Sequence, residues 1–192
     1  MSKTPQKIGT NTELPKDLVI PDALKVPSGN VLKFALHATA LFHFKWCTEA
    51  DGPTCKYYGT DAYLFNDAKD VANVPYSYVA EIKVIDSTMG DEIGSSAPTS
   101  LTKSLLMNDT SSLEFKPITL VDPPNPEVDH SWALVEASNH KGTGAFSDIT
   151  YVQVVNTANG HSPAKSEYCG KYPDGHISSI PAHGTFLFYK KC

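Results

Sequence analysis

The chain has 192 residues, 41% hydrophobic and 19% charged, with a formal net charge of -5, enough for one domain that buries about 70% of the surface its unfolded chain exposes. All 16 basic residues are lysines, so arginine's planar fork is missing, and this argues against a nucleic-acid partner or a bidentate clamp for acidic substrates. The longest apolar runs fall well short of the roughly 20 residues of a spanning helix, and no membrane partner is expected.

Pro5, Pro15, Pro21 and Pro27 punctuate a polar opening, and residues 1–27 read as an extended arm lying on a single domain at 28–192. The start, Met1 to Pro5, has no apolar signal core, which implies a cytoplasmic protein, or one secreted or cell-wall associated if a leader has been removed. After a turn at Ser28-Gly29-Asn30 comes "VLKFALHATALFHFKW", where Leu32, Phe34, Leu36, Ala38, Ala40, Phe42, Phe44 and Trp46 alternate with Lys33, His37, Thr39, His43 and Lys45. Period two over this length predicts one long bent strand, or two strands joined near Thr39.

Further strands are predicted at 57–65, 76–86, 101–107, 113–121, 131–137, 149–156 and 185–189. Turn clusters such as Asp122-Pro123-Pro124-Asn125-Pro126 separate them. Short strands spaced in this way predict an all-β fold, an antiparallel β-sandwich or a barrel-like single domain. Thr60 to Ala72 is the one stretch compatible with a helix. His140-Lys141-Gly142-Thr143-Gly144 resembles a phosphate-binding loop, but the "AFSDITYVQVV" that follows reads as a strand where such a loop needs a helix. A hairpin turn is therefore expected, its glycines supplying positive φ.

The four cysteines, Cys47, Cys55, Cys169 and Cys192, allow two disulfides in three connectivities. Cys47–Cys55 and Cys169–Cys192 are the simplest pairing, and metal ligation competes poorly without a C-x-x-C motif. Asn108-Asp109-Thr110 is a lone glycosylation sequon.

Several segments together carry a resemblance: Trp132-Ala133-Leu134-Val135, Gly142-Thr143-Gly144-Ala145-Phe146, Ile149 to Thr157 ("ITYVQVVNT"), Asn159 to Pro163, Cys169, and Phe186-Leu187-Phe188-Tyr189. With "PSGNVLKFALHATALFHF", these are similar to a family of fungal, plant and bacterial domains of unknown function, often mislabelled malate dehydrogenase. The resemblance covers about 28–47 and 131–189. Val154 stands where that family has an arginine, and the family's middle motif, G-P-T-W followed by D-G-S, is missing between 60 and 100. The dehydrogenase label has no support, because no strand, G-x-G-x-x-G and helix unit is present. The resemblance permits a role like that of coloured fungal fruiting-body proteins, which carry a pigment.

His37 and His43 share the polar side of the first strand but lie too far apart along it to ligate one metal. His130, His140, His161, His176 and His183 fall in turn-rich regions, where solvated histidines are the plain reading and a metal cluster with Asp129 the sharper one. No G-x-S-x-G elbow announces a nucleophile. Glu81, Glu136 and Asp148 are conceivable glycosidase carboxylates that nothing singles out. Tyr57, Tyr58, Tyr63, Phe65, Tyr76 and Tyr78 crowd into one stretch. Aromatics in a β domain are most often core; the alternative is a pocket whose rings enclose a flat ligand.

The expected function is a non-enzymatic carrier of a small aromatic or alkaloid-like ligand, such as a non-covalently bound organic chromophore. Trp46, Tyr63 and Tyr78 would stack on it, and His43 and Tyr76 would hydrogen-bond it. An extracellular structural or carbohydrate-binding protein is the alternative, and a hydrolase the third. Oligomeric state and ligand identity are not legible.

Overall fold

The computed structural model describes residues 8–49, 52–73, 78–85, 102–106, 109–163 and 171–192. Eight strands, β1 (Asn30–Glu49), β2 (Gly52–Phe65), β3 (Ala80–Ile85), β4 (Thr102–Leu106), β5 (Ser112–Val121), β6 (Trp132–Lys141), β7 (Ile149–Asn159) and β8 (Ile177–Lys191), pair antiparallel in chain order. β8 returns to β1 and closes the sheet into a barrel.

Each predicted strand has its counterpart, and the first run takes the first of its two expected forms, one long strand; beside His43 and Phe44 its register with β2 shifts, Tyr58 of β2 being the extra residue. Two elements differ. The segment Thr60 to Ala72 is not a helix: β2 runs to Phe65, and a short 3-10 turn covers Ala68–Asn73. There Ala62 and Leu64 face the core while Asp61 and Tyr63 face out, the period-two arrangement of a strand. β8 begins at Ile177, well before the expected 185, because Ser178, Ser179, Pro181 and Gly184 read as turn residues. Pro181 pairs with Leu41 of β1 just beyond Ala182, where the β7 ladder ends, so no β7 partner requires its missing N–H.

Alternation divides the apolar residues into two cores. Phe34, Leu36, Ala38, Leu64, Phe115, Val135, Val152 and Phe188 point into the barrel. Ala35, Trp132, Leu134, Val155, Leu187 and Tyr189 point outward, where Leu18, Ile20, Leu24 and Val26 of the arm cover them. Asn11 bridges to Ala35, Gln153 Nε2 donates to the Leu24 carbonyl at 2.6 Å, and Tyr189 Oη donates to Gln153 Oε1 at 2.6 Å. The described part of the arm thus buries the barrel's outer apolar face and satisfies the Gln153 amide beneath it, while the Trp132 Nε1 donor in the same cluster is buried without a partner among the described residues.

The glycine-rich turn closes one end of the barrel. Gly142 has φ +76°, and a Cβ on Gly144 would lie 2.1 Å from Asp109 Oδ2. The Asp109 carboxylate accepts from the backbone N–H of Ala145 (2.6 Å) and Ser111 (2.9 Å) and from the Ser111 hydroxyl (2.7 Å). The turn is therefore shaped around a carboxylate rather than a phosphate. It places Phe146, fully buried, against Phe188 (5.1 Å between ring centroids) and Phe34 (6.3 Å). Rings buried in this way contribute about 1.5–3 kcal/mol each, and they plug the barrel floor.

Candidate functional site

Above this floor the barrel is hollow, because small residues occupy inward positions. Ala62 of β2, Ala40 of β1 and Ala182 of β8 form one cross-strand row, and the neighbouring positions Ala38 and Gly184 pair in the next. With Ala133 of β6 they line a cavity of about 160 Å³. Eight strands make a barrel whose interior is either filled by side chains or able to hold one small ligand, and here the alanines decide for the second.

Aromatic rings wall the rest: Phe42, Tyr57, Phe115 and Phe186. Phe42 lies 6.3 Å from Tyr57 and 4.3 Å from the His130 imidazole. His130 is held over the open end by the segment before β6. Its backbone N–H donates to the Asn159 carbonyl (2.8 Å), its own carbonyl accepts from Thr157 Oγ1, and Asp129 bridges to Gly160. Gly160 has φ +88°, and a Cβ there would sit 2.8 Å from Ala182 Cβ and 3.2 Å from the Phe42 ring; glycine allows the two segments to meet.

The cavity is nearly free of charge. None of its described lining residues is Asp, Glu or Lys. The polar groups are Thr60, whose hydroxyl pairs with the Tyr57 hydroxyl at 2.7 Å, Ser131, Thr157, and the histidines 130 and 183. Burial, reinforced by the nearby His161, lowers the His130 pKa to about 4, so the imidazole is neutral at ordinary pH and offers one donor and one acceptor.

The residues that the sequence favoured lie elsewhere. His43 and Tyr63 project from the outer wall, and Tyr63 meets Tyr78 at 4.9 Å between centroids. Trp46 is buried near the end of β1, its Nε1 donating to Ser178 Oγ at 3.1 Å. Tyr76 lies outside the described residues. His43 stands between two partners on neighbouring strands: Nδ1 is 2.8 Å from Ser179 Oγ, and Nε2 is 3.2 Å from Asp61 Oδ2. Glu81 and Asp148 pair with Lys83 and Lys33. Among the described residues, no group of three or more His, Cys, Asp or Glu could hold a metal.

The expected Cys47–Cys55 disulfide is not formed; both thiols are free. Cys55 is paired across the ladder with Trp46 and Cys47 with Thr54, so the two side chains leave opposite faces of the sheet and cannot meet. Burial pushes the Cys55 thiol up to about 11. Cys192 carries a free, exposed thiol, and Cys169, its expected partner, lies outside the described residues.

What the sequence reading missed was smallness rather than aromaticity. Ala38 and Ala40 in β1, and Ala182 and Gly184 in β8, are the signal that could have found the cavity. No family model matches the chain, and no curated protein or solved structure matches it.

Proposed function

We propose that the protein is a non-enzymatic carrier that holds a small aromatic molecule inside the barrel. The observation that carries this reading is the alanine-lined hollow, plugged by Phe146 at one end and walled by Phe42, Tyr57, Phe115 and Phe186. A dry apolar cavity of about 150 Å³ takes up benzene in an engineered protein, and the volume here is of that order. An organic chromophore is one occupant that the sequence resemblance permits. No lysine is among the described lining residues, which supports non-covalent retention over a Schiff base.

Absorption spectroscopy and native mass spectrometry of protein purified from its natural source test this reading. An absorption band beyond the tyrosine and tryptophan envelope, with a mass excess lost on denaturation, is the expected outcome. A bare chain that takes up no added aromatic compound would overturn it, and glycan binding by that bare chain would favour the carbohydrate-binding alternative. A hydrolytic reading has one observation behind it, the Ser179–His43–Asp61 row. Fluorophosphonate labelling of Ser179 that is lost in His43→Ala would support it; an unlabelled Ser179 leaves the row as a cross-strand polar ladder.

A further inference from the structure

From the cavity's chemistry we infer that its ligand is uncharged and presents one hydroxyl or carbonyl group to the His130 ring at the mouth. This rests on the carrier reading and adds to it the charge and polarity of what is carried. The cavity has no described acidic or lysine side chain to pair with a buried ion, and a charge taken from water into such a site loses its hydration without a counter-ion.

The polar groups are sparse and all at one end. The His130 imidazole lies at the mouth against Phe42, and among the described residues no side chain or backbone group hydrogen-bonds its ring nitrogens. The Thr157 hydroxyl donates to the His130 carbonyl, and the Thr60 and Tyr57 hydroxyls pair with each other. The imidazole, with the neighbouring Ser131 hydroxyl in the same lining, is then the group best placed to meet a ligand's polar edge, while alanines and rings receive its apolar body. The ionisable groups around His130 leave it neutral: His161 disfavours its protonation, and Asp129 is engaged by the Asn159 N–H at 2.8 Å. From β1 and β2 it faces the rings of Phe42 and Tyr57, and His183 of β8 is exposed.

Four probes of one shape test this at pH 7 by fluorescence titration and native mass spectrometry: naphthalene, 2-naphthol, 2-naphthoate and 2-naphthylmethylammonium. The expected order puts 2-naphthol first, with both ions at least 30-fold weaker. His130→Phe should lower 2-naphthol affinity about tenfold and leave naphthalene binding within threefold, which also shows that the variant is folded. Either ion binding within threefold of 2-naphthol would overturn the inference while leaving the carrier reading standing, as would His130→Phe binding 2-naphthol unchanged. Failure of all four probes, naphthalene included, would remove the carrier reading itself and this inference with it.

Discussion

Replacing Ala40 by leucine tests the hollow barrel directly, because Ala40 is the middle of the Ala62–Ala40–Ala182 row. Leucine adds three carbons, and at about 0.8 kcal/mol per buried methylene their transfer from water contributes roughly 2.4 kcal/mol. Ordering the longer side chain costs about 0.5–1 kcal/mol, and burial in a compact unfolded chain trims the gain further. A cavity of about 160 Å³ receives the added carbons without displacing its walls, so the 1–3 kcal/mol strain typical of overpacking is avoided. The expected result is a net stabilisation of about 1 kcal/mol, which for a chain of this length raises the melting temperature by roughly 2–4 °C. Affinity for 2-naphthol should fall at least tenfold in the same protein. Thermal melts and fluorescence titration read the two effects. A variant that is destabilised by more than about 1 kcal/mol and still binds as the parent does would refute the reasoning, since the space would then be neither open nor the binding site.

Gly144→Ala should destabilise the protein by about 1–3 kcal/mol, because its Cβ would drive the Asp109 carboxylate off Ala145 and Ser111; urea denaturation measures it, and the loss should not add to that of Asp109→Ala. His130 titrates lower in the folded protein than the usual value near 6.5, so the unfolded chain binds the extra proton between about pH 6.5 and 4. Its contribution is present above that window and lost as pH falls through it, with a slope of up to about 1.4 kcal/mol per pH unit; His130→Phe should flatten that part of the stability profile. Thiol labelling of the native protein should modify Cys192 first and Cys55 slowly, and added reductant should leave the melting temperature unchanged. A fall of several degrees with reductant would show that Cys47, Cys55 or Cys192 is bridged after all.

Alternation made most of the barrel legible before any coordinates. In β1 it is unbroken from Phe34 to Trp46, and in β5, β6 and β7 apolar runs between Pro and Gly turns left little choice of element. It failed where a strand contains residues that usually end one, as at Pro181 and Gly184. The site was harder to read because adjacency in sequence is a poor guide to adjacency in a barrel. Tyr63 and Tyr78 cluster along the chain, yet the pleat sends Tyr63 outside; the cavity's walls come from inward positions on β1, β2, β3, β5, β6, β7 and β8. An alanine in a strand carries no chemistry of its own, and its meaning emerges only when the register sets it beside other alanines.

The closure between β1 and β8 gives the hollow one firm wall. Its ladder runs from Asn30–Lys191 to Lys45–Ile177, and Ala40 and Ala182 face each other within it, so a guest admitted to the hollow would rest against a wall that opens only when a long run of backbone hydrogen bonds is broken.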